Sequence, residues 1–265
     1  MRRVIEKDFK SYYRNNAIFF CEEYIFTYPN KKTPLINFKN GLDFCKDKIL
    51  DVFLYKNILF VELVSPDHIP LSYFPTKAFL QNVVADEANI IFQAVQWLTW
   101  HKKHKFCCKC GNPITILQDA AEKKCHACNL SFYPSLSPAV MVLVKKDSKV
   151  LLARSPYFRD KMYSALAGFI DIGETAEQAV HREVREEVGI KITGLKYFGS
   201  QSWPFPSSFM IAYTALYLAG DINIDNNEIE DAQWFDCNQL PDLPSMPSIS
   251  RMLINAAISD ANDNR

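Results

Sequence analysis

The sequence predicts an α+β chain built in three parts, and three observations carry this. From residue 1 to 104, short aromatic and aliphatic runs alternate with turns, as in ILDVFLYKNILFVELV, and lead into a helical segment; this marks a smaller β-rich N-terminal domain. From 105 to 134, five of the eight cysteines crowd together, four of them in two CxxC pairs. From 135 to 265, long apolar stretches flank one glutamate-rich segment free of Pro and Gly, the pattern of strands around a surface helix.

The first part ends in a helix from about Asp86 to Lys103, with Ile91, Val95 and Leu98 on one side. It runs directly into KFCCKCGNPITILQDAAEKKCHACNLSFYP. Cys107 and Cys110 form one CxxC, Cys125 and Cys128 the other, and each pair lets a turn present two thiolates to one tetrahedral Zn²⁺. Four protein ligands close the coordination sphere, so this zinc is expected to be structural. Cys108 breaks the pairing and reads as a free thiol, and His126, inside the second knuckle, reads as solvent-facing. Cys21, Cys45 and Cys237 stand alone and read as small buried hydrophobes.

In the third part, SPAVMVLVKK and SKVLLARS read as strands on either side of a turn at Lys146–Ser148. FMIAYTALYLA reads as another strand and DAQWFDC as a shorter one. SISRMLINAAIS, Ser248–Ser259, reads as an amphipathic helix, and DANDNR as a frayed tail. Thirty basic and thirty acidic residues leave no net charge, which removes a global drive toward nucleic acid or membrane. The longest apolar run, Met210–Ala219, is too short to span a bilayer, and MRRVIEKDFKSYYRNN lacks the apolar core of a secretory signal; a cytoplasmic location is the expectation.

The glutamate-rich segment runs from Thr175 to Val188, with Thr175 or Glu174 near its start and Gly189 placed as a C-cap. Glu183, Glu186 and Glu187 stand at i, i+3 and i+4, on one side of the helix. Like charges so spaced repel, and a hard divalent ion such as Mg²⁺, which takes carboxylate oxygens, would offset that. The plain alternative is a solvated face neutralised by Arg182 and Arg185.

The flanks decide between them. Gly168, Glu174, Arg182, Glu183, Val184, Glu186, Glu187, Gly189 and Ile190 fall at the spacings of the Nudix box, so the chain resembles a Nudix hydrolase. That resemblance implies an α/β/α sandwich, cleavage of a nucleoside diphosphate linked to another moiety, and Mg²⁺ or Mn²⁺ held by Glu183, Glu186 and Glu187. It also implies that Glu174 assists a ligand, that Arg182 orients a carboxylate, and that Gly168 and Gly189 permit turns at the two ends. Either Glu187 or Glu186 is the expected base.

Downstream, SQSWPFPSSFM resembles the SQPWPFPxS signature of zinc-ribbon NAD(H) pyrophosphatases at Ser200, Gln201, Trp203, Pro204, Phe205, Pro206 and Ser208, departing at Ser202 where the family has Pro. The two prolines fix WPFP in an extended shape that presents Trp203 and Phe205 for stacking on a base; packing in the core or a subunit interface is the alternative. The resemblance implies a dinucleotide substrate cut to AMP and nicotinamide mononucleotide, and a homodimer with this loop near its interface. It carries over Tyr133, Phe169, Gln201, Trp203, Pro204, Phe205, Ser208 and Ser250 as substrate-binding positions. Glu228 is carried over as a further metal ligand, with Glu230 and Asp231 as rivals. NAD-capped RNA is a second expected substrate, with HKKHK at 101–105 and Lys123–Lys124 as a local phosphate-binding run or merely a solvated face. Another nucleoside diphosphate derivative such as an ADP-sugar, or a non-catalytic zinc-ribbon module binding nucleic acid, are the competing functions.

Overall fold

The computed structural model describes residues 1–117, 121–224 and 228–263. They form two units, Met1–Ser135 and Leu136–Arg265.

In the first unit the strands are β1 (Arg2–Arg3), β2 (Asn16–Cys21), β3 (Tyr24–Thr27), β4 (Ile36–Asn37), β5 (Ile49–Tyr55), β6 (Ile58–Leu63) and β7 (Ser72–Pro75). They form one sheet in the order β1-β5-β6-β2-β3-β7, with β4 beside β2. Helices α1 (Phe38–Cys45), α2 (Thr76–Phe79) and α3 (Ala85–Lys103) accompany it. One core gathers Phe19, Phe26, Phe38, Leu59 and Val61. Toward α3, Phe53 meets Trp97 at 5.6 Å and His101 at 5.0 Å between ring centroids. The ribbon adds β8 (Thr115–Ile116), β9 (Lys123–Cys125) and β10 (Leu130–Phe132), paired antiparallel in sequence order.

The basic run is divided: Lys103 and Lys105 are exposed, whereas other members are turned inward. Lys123 is buried, its Nζ donates to the carbonyls of His101 (2.7 Å) and His104, and it lies 5.1 Å from the centre of the Trp100 ring. It thereby satisfies carbonyls at the C-terminal end of α3 that the helix itself leaves open. Lys102 pairs with the buried Glu62, and His101 lies 3.2 Å from Asp51. Two of the lysines read from sequence as possible phosphate contacts are internal ties.

The second unit holds β11 (Ser137–Lys146), β12 (Lys149–Arg154), β13 (Leu166–Phe169), α4 (Ala176–Val188), β14 (Lys191–Trp203), β15 (Ser208–Ala219), β16 (Asp231–Asp236) and α5 (Ile249–Asp263). The sheet order is β14-β15-β11-β12-β16, with β13 beside β11. Alternation along β11 sets the layers. Val140, Val142 and Val144 join Val180, Val184 and Val188 of α4 in one core. Ala139, Met141 and Leu143 join Leu253, Ile254 and Ala257 of α5 in the other. This is the expected α/β/α sandwich.

Two expectations need correction. Residues 204–207 form the turn between β14 and β15 and not the extended stretch expected of WPFP, and β14 itself breaks register against β15 near Gly194 and Gly199. Helix α5 continues past Ser259 to Asp263, into the expected tail; Asn264 and Arg265 lie outside the described residues.

Candidate active site

Helix α4 carries the carboxylates, and its ends are fixed locally. Thr175 is the N-cap and forms a reciprocal capping box with Gln178. Gly189 follows with φ 74°, a left-handed turn that a side chain would strain. Glu174 is not the cap. Its carboxylate accepts from Arg182 Nε at 2.9 Å and Nη2 at 2.8 Å, and from the Asp171 N–H at 3.1 Å. These bonds, Arg182 first, hold Glu174 below the usual carboxylate range.

Arg182 is the hub. Its Nη1 donates to Glu183 at 2.8 Å and to Glu186 at 3.0 Å, while Nη2 also donates to the Phe169 carbonyl at 2.8 Å. The Glu174 bonds are the main reason its pKa rises further, so it stays charged.

Among the described residues, carboxylate oxygens of Glu183, Glu187 and Glu228 lie within 4.8 Å of one another. Glu186 is not in this group; its side chain is half-exposed and paired with Arg182. The helix explains why. Glu183 and Glu187 differ by only about 40° around the axis, whereas Glu186 stands about 100° from Glu187. Glu228 is also separated from its rivals, because Glu230 pairs with Arg154 at 3.2 Å and Asp231 accepts from Tyr163 and Gln233.

Glu187 is buried, its Oε2 has no hydrogen-bond partner, and the Ala167 backbone amide favours its charged form. Burial, then the charges of Glu183 and Glu228, push its carboxyl up to about 8. Burial raises Glu183 as well, with Arg182 opposing. Converging carboxylates around an orphaned buried oxygen suit a hard divalent cation, so the residues fit such an ion.

Gly168 has a different role from the turn expected of it. It lies within β13, paired with Val140, and a Cβ built on it would fall 1.9 Å from the carboxyl carbon of Glu183. The missing side chain makes room for the carboxylate. The backbone contributions of Ala167 and Phe169 carry no mark in the sequence, because any residue supplies an N–H and a carbonyl.

The substrate positions divide. Phe169 is exposed beside Gly168, while Tyr133 is exposed in the first unit. Trp203 ends β14, packs partly buried on the α5 core, and meets Phe205 edge-on at 5.4 Å. Pro204 and Ser208 are buried. Gln201 and Ser250, expected at the ligand, are engaged internally. Gln201 Nε2 donates to the Pro247 carbonyl at 2.7 Å, and its Oε1 accepts from the Ile249 N–H at 2.8 Å. Ser250 is buried, with Oγ 2.8 Å from Ser164 Oγ and accepting from the Ala165 N–H at 3.3 Å.

The second cluster is Cys107, Cys110, Cys125 and Cys128, all free thiols. Three of their sulfur pairs lie at 3.4, 3.5 and 3.7 Å. Tetrahedral thiolates at a Zn–S distance of ~2.3 Å stand ~3.8 Å apart, so the four fit a zinc ion. Cys108 is outside the cluster, and His126 Nε2 lies 3.0 Å from Thr115 Oγ1. Cys125→Ser is expected to lower zinc content and melting temperature together, because a closed thiolate site contributes folding energy directly. Elemental analysis and a thermal melt check this, and unchanged zinc and melting would remove Cys125 from the ligand set.

A two-helix-faced mixed sheet with this capped carboxylate helix has the Nudix architecture, and residues 135–255 match the NUDIX domain family. The NAD-capped RNA hydrolase NudC of Chromobacterium violaceum is 44% identical over 191 residues, 72% of this chain and 72% of that protein. The proteins of the same name from Pseudomonas putida strains GB-1 and W619 are 41% and 38% identical, covering 76% and 83% of this chain and 74% and 80% of theirs. The chain belongs to the Nudix hydrolases, in the NADH pyrophosphatase family of these relatives.

Proposed function

We propose that this enzyme hydrolyses the pyrophosphate bond of NADH and NAD⁺, yielding AMP and nicotinamide mononucleotide in the matching redox state, and also removes NAD caps from RNA 5′ ends. The observation that carries it is the unpartnered, buried Glu187 oxygen converging with Glu183 and Glu228. The SQSWPFPSS hairpin and the name of the relatives supply the substrate.

Glu183, Glu187 and Glu228 would hold Mg²⁺ or Mn²⁺, with Glu186 beside them through Arg182. Such an ion supplies the positive charge that offsets the pyrophosphate and activates water near neutral pH. Arg182 fixes Glu183 and Glu174 and ties them to the Phe169 carbonyl. The burial of Glu187 and its raised pKa, about 8, support this carboxylate as the group that takes a proton from water. The exposure of the Phe169 ring supports stacking on a base, with Trp203, Phe205 and Ser208 as further proposed substrate positions. The four thiolates would hold a structural Zn²⁺. A cytoplasmic homodimer is the proposed assembly.

Trp203→Ala is expected to raise the KM for NADH several-fold and leave Mn²⁺ affinity unchanged, since a lost aromatic wall removes roughly 0.5–1.5 kcal/mol beyond area burial. Kinetics and a sizing column on the same variant separate a lost contact from a lost dimer. An unchanged KM in a variant of unchanged assembly would leave Trp203 as packing alone.

The substrate assignment is tested by turnover of NADH, NAD⁺, NAD-capped RNA and an ADP-sugar on one preparation, with Mg²⁺, with Mn²⁺ and with chelator. Cation-dependent hydrolysis of the two free dinucleotides and the capped RNA is expected. Hydrolysis of the ADP-sugar without that of NADH would overturn it.

A further inference from the structure

We infer that the Ser250 hydroxyl is a positioning group for the carboxylate cluster, bracing β13 from the first turn of α5, and that this hydroxyl does not itself hold the substrate. This rests on the reading of Glu183, Glu187 and Glu228 as a cation site.

Strand β13 is the shelf on which that site is built. Its Ala167 amide favours the charged form of Glu187, its Gly168 leaves the space that Glu183 fills, and its Phe169 carbonyl accepts from Arg182 at 2.8 Å. Three consecutive residues thus bear on the cluster, with geometric contacts to Glu183 and to the arginine beside it. A small shift of this strand would move the carboxylate groups together.

The entry to that shelf is held from the far side of the sheet. Ser164 pairs with Ala153 through two backbone hydrogen bonds of 2.9 Å. The next residue, Ala165, donates its N–H to Ser250 Oγ at 3.3 Å, and Ser164 Oγ lies 2.8 Å from the same oxygen. Ser250 is 3% exposed, so water cannot replace these bonds. The start of α5 is in turn clamped by Gln201, which bonds the Pro247 carbonyl and the Ile249 N–H. Gln201 lies in β14, two residues before Trp203. A continuous chain of hydrogen bonds therefore runs from the hairpin, through α5, to the strand beneath the carboxylates. A hydroxyl spent on Ser164 and Ala165 is poorly placed to bind a ligand.

The test is calorimetric titration of Mn²⁺ into wild type, Ser250→Ala and Ser164→Ala, alongside NADH kinetics at saturating Mn²⁺. Ser250→Ala is expected to weaken Mn²⁺ binding about three- to tenfold, the factor one lost hydrogen bond carries, and to lower kcat, with KM for NADH within about twofold of wild type. Ser164→Ala, which leaves the Ala165 bond in place, is expected to shift Mn²⁺ affinity less in the same direction. A raised KM with wild-type Mn²⁺ affinity would overturn the inference and make Ser250 a substrate contact; so would unchanged Mn²⁺ binding in a folded Ser250→Ala protein. If Ser250→Ala does not fold, wild-type Mn²⁺ affinity in Ser164→Ala overturns it instead. Should wild type bind Mn²⁺ but not hydrolyse NADH, the substrate assignment fails while the affinity comparison still decides the role of Ser250.

Discussion

Glu187→Gln is expected to lower NADH turnover by at least about two orders of magnitude while leaving the protein folded. The carboxylate is buried, one of its oxygens lacks a partner, and Glu183 and Glu228 converge on it. An amide of the same shape cannot take a proton from water and offers a cation no negative charge. It is also easier to bury than a charge. Without divalent cation, the variant is therefore expected to melt at or above the wild-type temperature, while the gain in melting temperature on adding Mn²⁺ is expected to shrink. Steady-state kinetics and paired melts measure both effects, and near-normal turnover would remove Glu187 from its assigned role.

Gly168→Ala is expected to lower turnover at least about tenfold and weaken Mn²⁺ binding, with a smaller cost in stability. The new Cβ would lie 1.9 Å from the Glu183 carboxyl carbon. The obstructed atoms are at the far end of a side chain, which can swing aside, so overpacking costs about 1–3 kcal/mol or less. Swinging aside, however, takes Glu183 away from Arg182 and from Glu187 and Glu228. Mn²⁺ titration and kinetics on the folded variant check this. Wild-type values for both would show that Glu183 does not need that space.

Which features the sequence disclosed follows from the range of the interactions involved. Thr175, Gln178 and Gly189 act within one turn of α4, so the helix and its caps were readable from local pattern. Alternation along β11 was equally local, and the paired CxxC spacing brings each pair of thiolates together without long-range information. Other features depend on what the chain meets far away in sequence. Glu228, Glu230 and Asp231 are chemically alike, and it is contacts with Arg154 and Tyr163, on other segments, that help to separate the latter two from the cluster. Lys123 looked like a surface charge because the carbonyls it satisfies belong to α3. Gly168 looked like a turn residue because the carboxylate filling its missing side chain comes from α4. Gln201 and Ser250 were legible as distinctive residues but not as internal ties, since their partners lie 46 and 86 positions away.

The most direct test of the central claim is to incubate the purified protein with NADH, with and without Mn²⁺, and to separate the products by chromatography. Equal amounts of AMP and reduced nicotinamide mononucleotide, formed only with the cation and abolished in Glu187→Gln, are the expected result. Absence of AMP with Mn²⁺ present, or the same AMP yield from Glu187→Gln, would contradict it.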